Sequence, residues 1–185
     1  GGVVPGSAQY GVLEVFDNGG TSVACRYLGT HATEGRKLSH IFSSSTAGAG
    51  DHAIVNISTL GKVGAGGESL VSGFVISGTS NRSVLVRAIG PTLSAFGVTD
   101  ALAKPVLSVF QGTRLVATNS AWGGVNGASA GALTDAFDRA GAFRLVDEDS
   151  RDAALILSLP PGAYTVQVKS ADTSGGSALL EVYEL

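Results

Sequence analysis

The chain has 185 residues, 44% of them hydrophobic and only 15% charged, with 27 glycines and a formal net charge of −3. That balance excludes a disordered chain, which is charge-rich and apolar-poor. It also offers no basic face for nucleic acid, and no run of about 18 apolar residues is present to span a membrane. The length suits one domain, or one domain with a long arm, and the Val, Ser, Thr, Gly and Ala usage is that of an all-β protein with many turns. There is no methionine, so the chain is processed or is a piece of a longer one, and removal of a signal peptide is the simplest cause.

Gly1–Ala8 is small, polar and broken by Pro and Gly, an extended lead. Tyr10–Phe16 alternates as a strand, Asp17-Asn18-Gly19-Gly20 is a turn, and Ser22–Leu28 forms a second strand with Val23, Cys25 and Tyr27 on one face. Cys25, the single cysteine, has no intrachain partner; it is either a small buried hydrophobe or a link between subunits. Gly29–Gly50 is weakly patterned, with Leu38, Ile41 and Phe42 as docking points and a low-complexity tract at Ser43–Gly50, and reads as a linker. Residues 1–50 are thus an N-terminal strand arm and linker, and 51–185 a β-sandwich domain.

Within that body, Ala53–Thr59 is a strand, and Gly61–Gly67 a glycine-rich loop. Ser69–Ser77 and Ser83–Ile89 are strands joined by a hairpin-like Gly78-Thr79-Ser80-Asn81 connection. Both are apolar on two faces, as central strands are. Arg87 lies inside the second, so it pairs with a carboxylate or extends its head to the rim. Gly90-Pro91 ends that strand, and Thr92–Ala103 is a long loop pinned by Leu93, Phe96, Val98 and Leu102. Pro105–Gln111 and Arg114–Thr118 form a hairpin turned by Gly112-Thr113, and the Asn119–Ala128 loop carries the only tryptophan, Trp122. Leu133, Ala136, Phe137 and Ala140 recur at helical spacing, so Ala130–Ala140 is the one short helix. An acidic loop, Asp147–Asp152, precedes the apolar strand Ala153–Leu159. Pro160-Pro161-Gly162 then opens what reads as a closing β-hairpin, Ala163–Lys169 with Ala178–Leu185. About eight strands in the body, so spaced, fit an all-β sandwich of jelly-roll or immunoglobulin-like type.

No catalytic constellation is visible. His31, His40 and His52 are scattered without zinc-ligand spacing, no Gly-x-Ser-x-Gly elbow occurs, and Gly64–Glu68 lacks the Gly-Lys-Ser/Thr ending of a phosphate loop. Asp51-His52 is a solvated turn rather than a metal site. Asn56-Ile57-Ser58 and Asn81-Arg82-Ser83 match the N-glycosylation pattern. The one metal candidate is calcium at Asp147, Asp149 and Asp152, whose carboxylates alternate along the loop; against it, no EF-hand pattern is present, and Asp152 has a rival use in capping a turn or pairing with Arg87 or Arg151. Otherwise no cofactor is expected. Trp122, beside Asn119, Gly123 and Gly124, is a candidate platform for stacking on a sugar, against the commoner use of a lone Trp as a packed anchor.

The closing strand has an echo. Val12-Leu13-Glu14-Val15-Phe16-Asp17 matches Leu179-Leu180-Glu181-Val182-Tyr183-Glu184 class for class. Several phrases occur with it: Asn56-Ile57-Ser58-Thr59, Gly73–Gly78, Val84–Leu93, Phe96-Gly97-Val98, Asp152–Leu155, Leu159–Thr165 and Leu180–Tyr183. Together, over about residues 53–185, they resemble a domain repeated in large secreted and cell-surface proteins of environmental bacteria, loosely described as immunoglobulin-like. The Leu159–Val166 stretch is also similar to the closing hairpin of bacterial pre-peptidase C-terminal-type sandwiches. The resemblance implies an extracellular or cell-surface protein. In a tandem array, residues 10–17 would be the tail of one unit and 53–185 the next.

Two functions follow as expectations. The first is an extracellular structural subunit that self-assembles head to tail into a filament or surface layer by strand exchange: Tyr10, Val12, Leu13, Val15 and Phe16 would enter a neighbouring copy by β-augmentation. The alternative is an accessory carbohydrate- or calcium-binding module of a secreted multidomain protein.

Overall fold

The computed structural model describes residues 11–17, 23–29, 56–123, 128–145 and 147–185. Tyr10, His31, His40, Asp51, His52 and the linker reading of 30–50 lie outside these residues. β1 (Gly11–Asp17) and β2 (Val23–Gly29) pair antiparallel in a two-stranded sheet of their own. The remaining strands are β3 (Asn56–Val63), β4 (Leu70–Ile76), β5 (Arg82–Ile89), β6 (Pro105–Gln111), β7 (Arg114–Asn119), β8 (Ala153–Leu159), β9 (Gly162–Ser170) and β10 (Gly176–Glu184). They form two four-stranded sheets, ordered β3-β10-β5-β8 and β4-β9-β6-β7, and every ladder between named strands is antiparallel.

This is a β-sandwich with jelly-roll connectivity, in which the chain passes from one sheet to the other at nearly every connection. Of the two architectures left open by strand count, strand order selects the jelly roll. It also corrects two local readings. β9 and β10 are not a hairpin: β9 pairs β4 and β6, whereas β10 pairs β3 and β5. Nor do β4 and β5 pair across Gly78–Asn81, for they lie in opposite sheets. Within the two sheets of the sandwich, only β6 and β7 are consecutive and paired, through a turn with Gly112 at φ 58°. A turn signal marks reversal of the chain; it does not say in which sheet the next strand finds its hydrogen bonds.

The first body strand also runs further than its composition suggests. Gly61, Lys62 and Val63 continue β3 rather than open the loop, with Gly61 opposite Ala178 and Val63 buried. Leu70 occupies the space over Gly61 that a side chain would need.

Two apolar layers result. Between the sheets lie Val84, Val86 and Ala88 of β5, Leu180 and Val182 of β10, and Leu107, Val109, Val166 and Val168 of the facing sheet. On the outer face of the β3-β10-β5-β8 sheet, Leu85, Ile89 and Tyr183 pack against Leu93, Trp122, Leu133 and Phe137. The alternation of β5 and β10 therefore serves two cores, and both faces of these strands are buried. The outer layer is supplied by a 3-10 helix at Pro91–Phe96 and by α1 (Ala130–Ala140). The side chain of Ser129 caps α1 by accepting from the N–H of Ala132, and Gly141 closes it at φ 66°. α1 lies against β5 and β8 and buries Leu133, Ala136 and Phe137.

Candidate functional site

The repeated strand is the first feature to place. In β10, Glu181 stands opposite Arg87 of β5; in β1, Glu14 stands opposite Arg26 of β2. The echo therefore extends to the partner strand: each Leu-Glu-Val segment faces an arginine across an antiparallel ladder. The two copies differ in setting. β10 has a neighbour on both sides, β3 and β5, and its place in the sheet is filled. β1 has one neighbour, β2, and lies outside both sheets of the sandwich, alongside β4. Val12, Leu13, Val15 and Phe16 thus belong to a strand whose first partner is its own chain. Cys25 sits in β2 opposite Val15.

The pair inside the domain is buried. Arg87 and Glu181 are 0% and 5% exposed, with Nη2 and Oε2 3.0 Å apart. Arg87 Nη1 donates to the Phe143 carbonyl at 2.6 Å, and the guanidinium lies between the rings of Phe137 and Phe143, 4.7 and 4.4 Å from their centroids. Glu181 accepts from the Tyr183 hydroxyl at 2.9 Å and from the Ser58 hydroxyl at 3.4 Å. The close ion pair lacks hydrogen-bond geometry: Arg87 Nε and Nη2 and Glu181 Oε2 have no hydrogen-bond partner among the described residues. Burial pulls the guanidinium below its usual value, and the Glu181 carboxylate opposes that shift; an arginine stays charged regardless. Burial, and then the same carboxylate, push the Tyr183 phenol well above its ordinary value. The Arg87 alternatives resolve to a carboxylate partner, which is Glu181 and not Asp152. Glu181 lies on an interior strand, not at a sheet edge. The signal for the pair was one opposite charge within each of two apolar strands; their pairing across 94 residues required the register.

Asp152 is a clamp. It is 0% exposed, its Oδ1 accepts from the Gly90 N–H at 2.7 Å, and its Oδ2 accepts from the hydroxyls of Thr92 at 2.5 Å and Ser150 at 2.6 Å. It ties the start of β8 to the end of β5. Asp147 instead turns its Oδ1 to the Asp149 N–H at 2.9 Å, an Asx turn. The carboxylates of Asp147, Asp149 and Asp152 do not converge, and no cluster of three metal-ligating side chains occurs among the described residues. Alternating carboxylates form a calcium site only if the loop turns them to one centre.

Trp122 faces inward, 1% exposed, with its ring 5.7 Å from that of Phe137 and its Nε1 donating to the Asp147 carbonyl at 3.0 Å. It is an anchor that fastens the acidic loop, and no face of the indole is open for a sugar.

Among the described residues, no helix is long and apolar enough to cross a membrane. The described residues thus make an eight-stranded jelly-roll sandwich, with an N-terminal strand pair outside its two sheets. No protein-family model and no curated protein matches the chain. Among solved structures it is similar to the pre-peptidase C-terminal domain of collagenase from Bacillus anthracis, with 13% sequence identity and a TM-score of 0.42, over 69% of this chain and 89% of that one.

Proposed function

We propose that this protein is a non-catalytic structural module of an extracellular assembly, joined to further copies of itself by addition of its N-terminal strand. The observation that carries this reading is the contrast between two similar strands. β10 occupies an interior position with partners on both sides, and β1, its near copy, has no position in its own sandwich. A strand of that composition, open along one edge, has backbone groups to pair and apolar positions to cover. The filled β10 position rules out insertion of a neighbour's strand into that slot unless β10 leaves it, so the addition is to a sheet edge. The extracellular setting rests on the resemblance of residues 53–185 to domains of secreted and cell-surface proteins.

The experiment is a solution size measurement, by sedimentation or light scattering, of the full chain against one lacking residues 1–20. Concentration-dependent assembly of the full chain, abolished by the deletion, is expected. Two monomers of matching behaviour would sink the proposal.

A further inference from the structure

We propose that the acceptor is the open edge of β4, and that its occupant is β1 of a second copy of the chain. This rests on the strand-addition reading above and adds where the strand goes. The sandwich has four outer strands, β3 and β8 in one sheet, β4 and β7 in the other. Natural sheets protect such strands with charge, proline, irregularity or cover. β3 carries Lys62, which is ion-paired with Asp100. β7 opens on Arg114, is the shortest of the strands, and its ladder with β6 shifts register at Val109/Phe110. β8 lies against α1 and β7, and four of its seven residues, Ala153, Ala154, Leu155 and Leu159, are buried. Of these devices β4 has only cover, because β1 of the same chain lies alongside it without forming a ladder. Its sequence, Leu70-Val71-Ser72-Gly73-Phe74-Val75-Ile76, holds no charge and no proline, and its ladder with β9 runs without a shift. Val75 is 73% exposed, the most open of the large apolar side chains among the described residues.

The donor matches. β1 and β4 are each 7 residues long and each has one bonded neighbour. Within the chain β1 lies alongside β4 yet makes its ladder only with β2. Two unsatisfied edges of equal length therefore sit on the same side of the molecule, and a second copy can join them reciprocally or in series. The reach is sufficient: a stretch the length of residues 30–55 spans at most about 86–94 Å at roughly 3.3–3.6 Å per residue.

The test compares the full chain with Val75→Lys, which places a charge on the β4 edge, and with Leu60→Lys, which does the same on the β3 edge, where Leu60 is 51% exposed. By sedimentation, Val75→Lys is expected to weaken self-association at least about tenfold, and Leu60→Lys to change it less than about twofold. Assembly of Val75→Lys equal to that of the unaltered chain overturns the acceptor assignment. If deletion of residues 1–20 still yields a monomer in that case, strand addition stands and only the edge is wrong; if the unaltered chain is itself monomeric, strand addition falls first. Hydrogen exchange on the unaltered chain removes any dependence on how the variant folds. Along β4, alternate amides point to the open edge, and these are expected to slow at least about tenfold in the assembly relative to the shortened chain. Equal exchange overturns the proposal. Slowing that persists in the full chain at monomeric dilution overturns it too, because the occupant is then the chain's own β1.

Discussion

At the scale of single residues, the buried polar groups tie the fold together. Asp152, itself fully buried, accepts from Gly90, Thr92 and Ser150. Truncating it strands those donors, so Asp152→Ala is expected to lower stability by about 3–4 kcal/mol in urea unfolding, as the loss of charge-assisted bonds and desolvated donors requires. Arg87 and Glu181 behave differently. Replacing Glu181 by Gln leaves an uncompensated buried guanidinium and is expected to cost about 3–5 kcal/mol, whereas the double change Arg87→Met with Glu181→Leu stays within about 2 kcal/mol of the parent or exceeds it. Tyr183 supplies the pH dependence. Its folded value lies above its unfolded one, so above about pH 10 the unfolded chain gives up the phenolic proton that the folded chain retains. Stability attributable to this group is therefore complete at neutral pH and declines as pH rises past the ordinary tyrosine value. Tyr183→Phe is expected to flatten the fall in the urea midpoint between about pH 9.5 and about pH 11. Sequence showed Arg87 and Glu181 as misplaced charges in apolar strands, and showed Asp152 as a residue with a choice between metal and turn. Deciding each case needed the partner's position.

At the scale of elements, local signals gave the helix and most strands, because caps, turns and periodicity act within a few residues. α1 spans Ala130–Ala140 as its spacing predicts, with Ser129 and Gly141 at its ends. Ser129→Ala is expected to cost about 1 kcal/mol, read as a lowered midpoint in thermal or urea unfolding. The junction after β5 is more demanding. A side chain at Gly90 would run into the Leu102 carbonyl, and both segments are held, Gly90 by Asp152 and Leu102 by the Ser177 carbonyl. Gly90→Ala is expected to cost about 2–3 kcal/mol, at the upper end for overpacking, because backbone cannot yield as a flexible side chain does. The errors at this scale were errors of pairing. The two expected hairpins, β4 with β5 and β9 with β10, are crossings between sheets, and nothing in Gly78–Asn81 or Ser170–Gly175 distinguishes a crossing from a tight return.

At the scale of the whole molecule, the jelly roll is complete between β3 and β10, and every described residue of its two cores comes from residue 57 or later. A 51–185 fragment is therefore expected to unfold at the same urea midpoint as the monomeric full chain, with a two-stranded β1–β2 sheet adding little because such a sheet alone is marginal in water. Class, the number of strands in the body, the α-helix at Ala130–Ala140 and the duplication of the closing strand were legible in the residues, since alternation, turn chemistry and composition are local and survive without coordinates. Tertiary structure alone decided which strand meets which. It paired Arg87 with Glu181, turned Trp122 inward, gave Asp147 and Asp152 different hydrogen-bond partners, filled the β10 position on both sides and left β4 with one laddered neighbour. Those outcomes depend on register and sheet order, which are set by the joint packing of segments far apart in the chain and are written in no one of them.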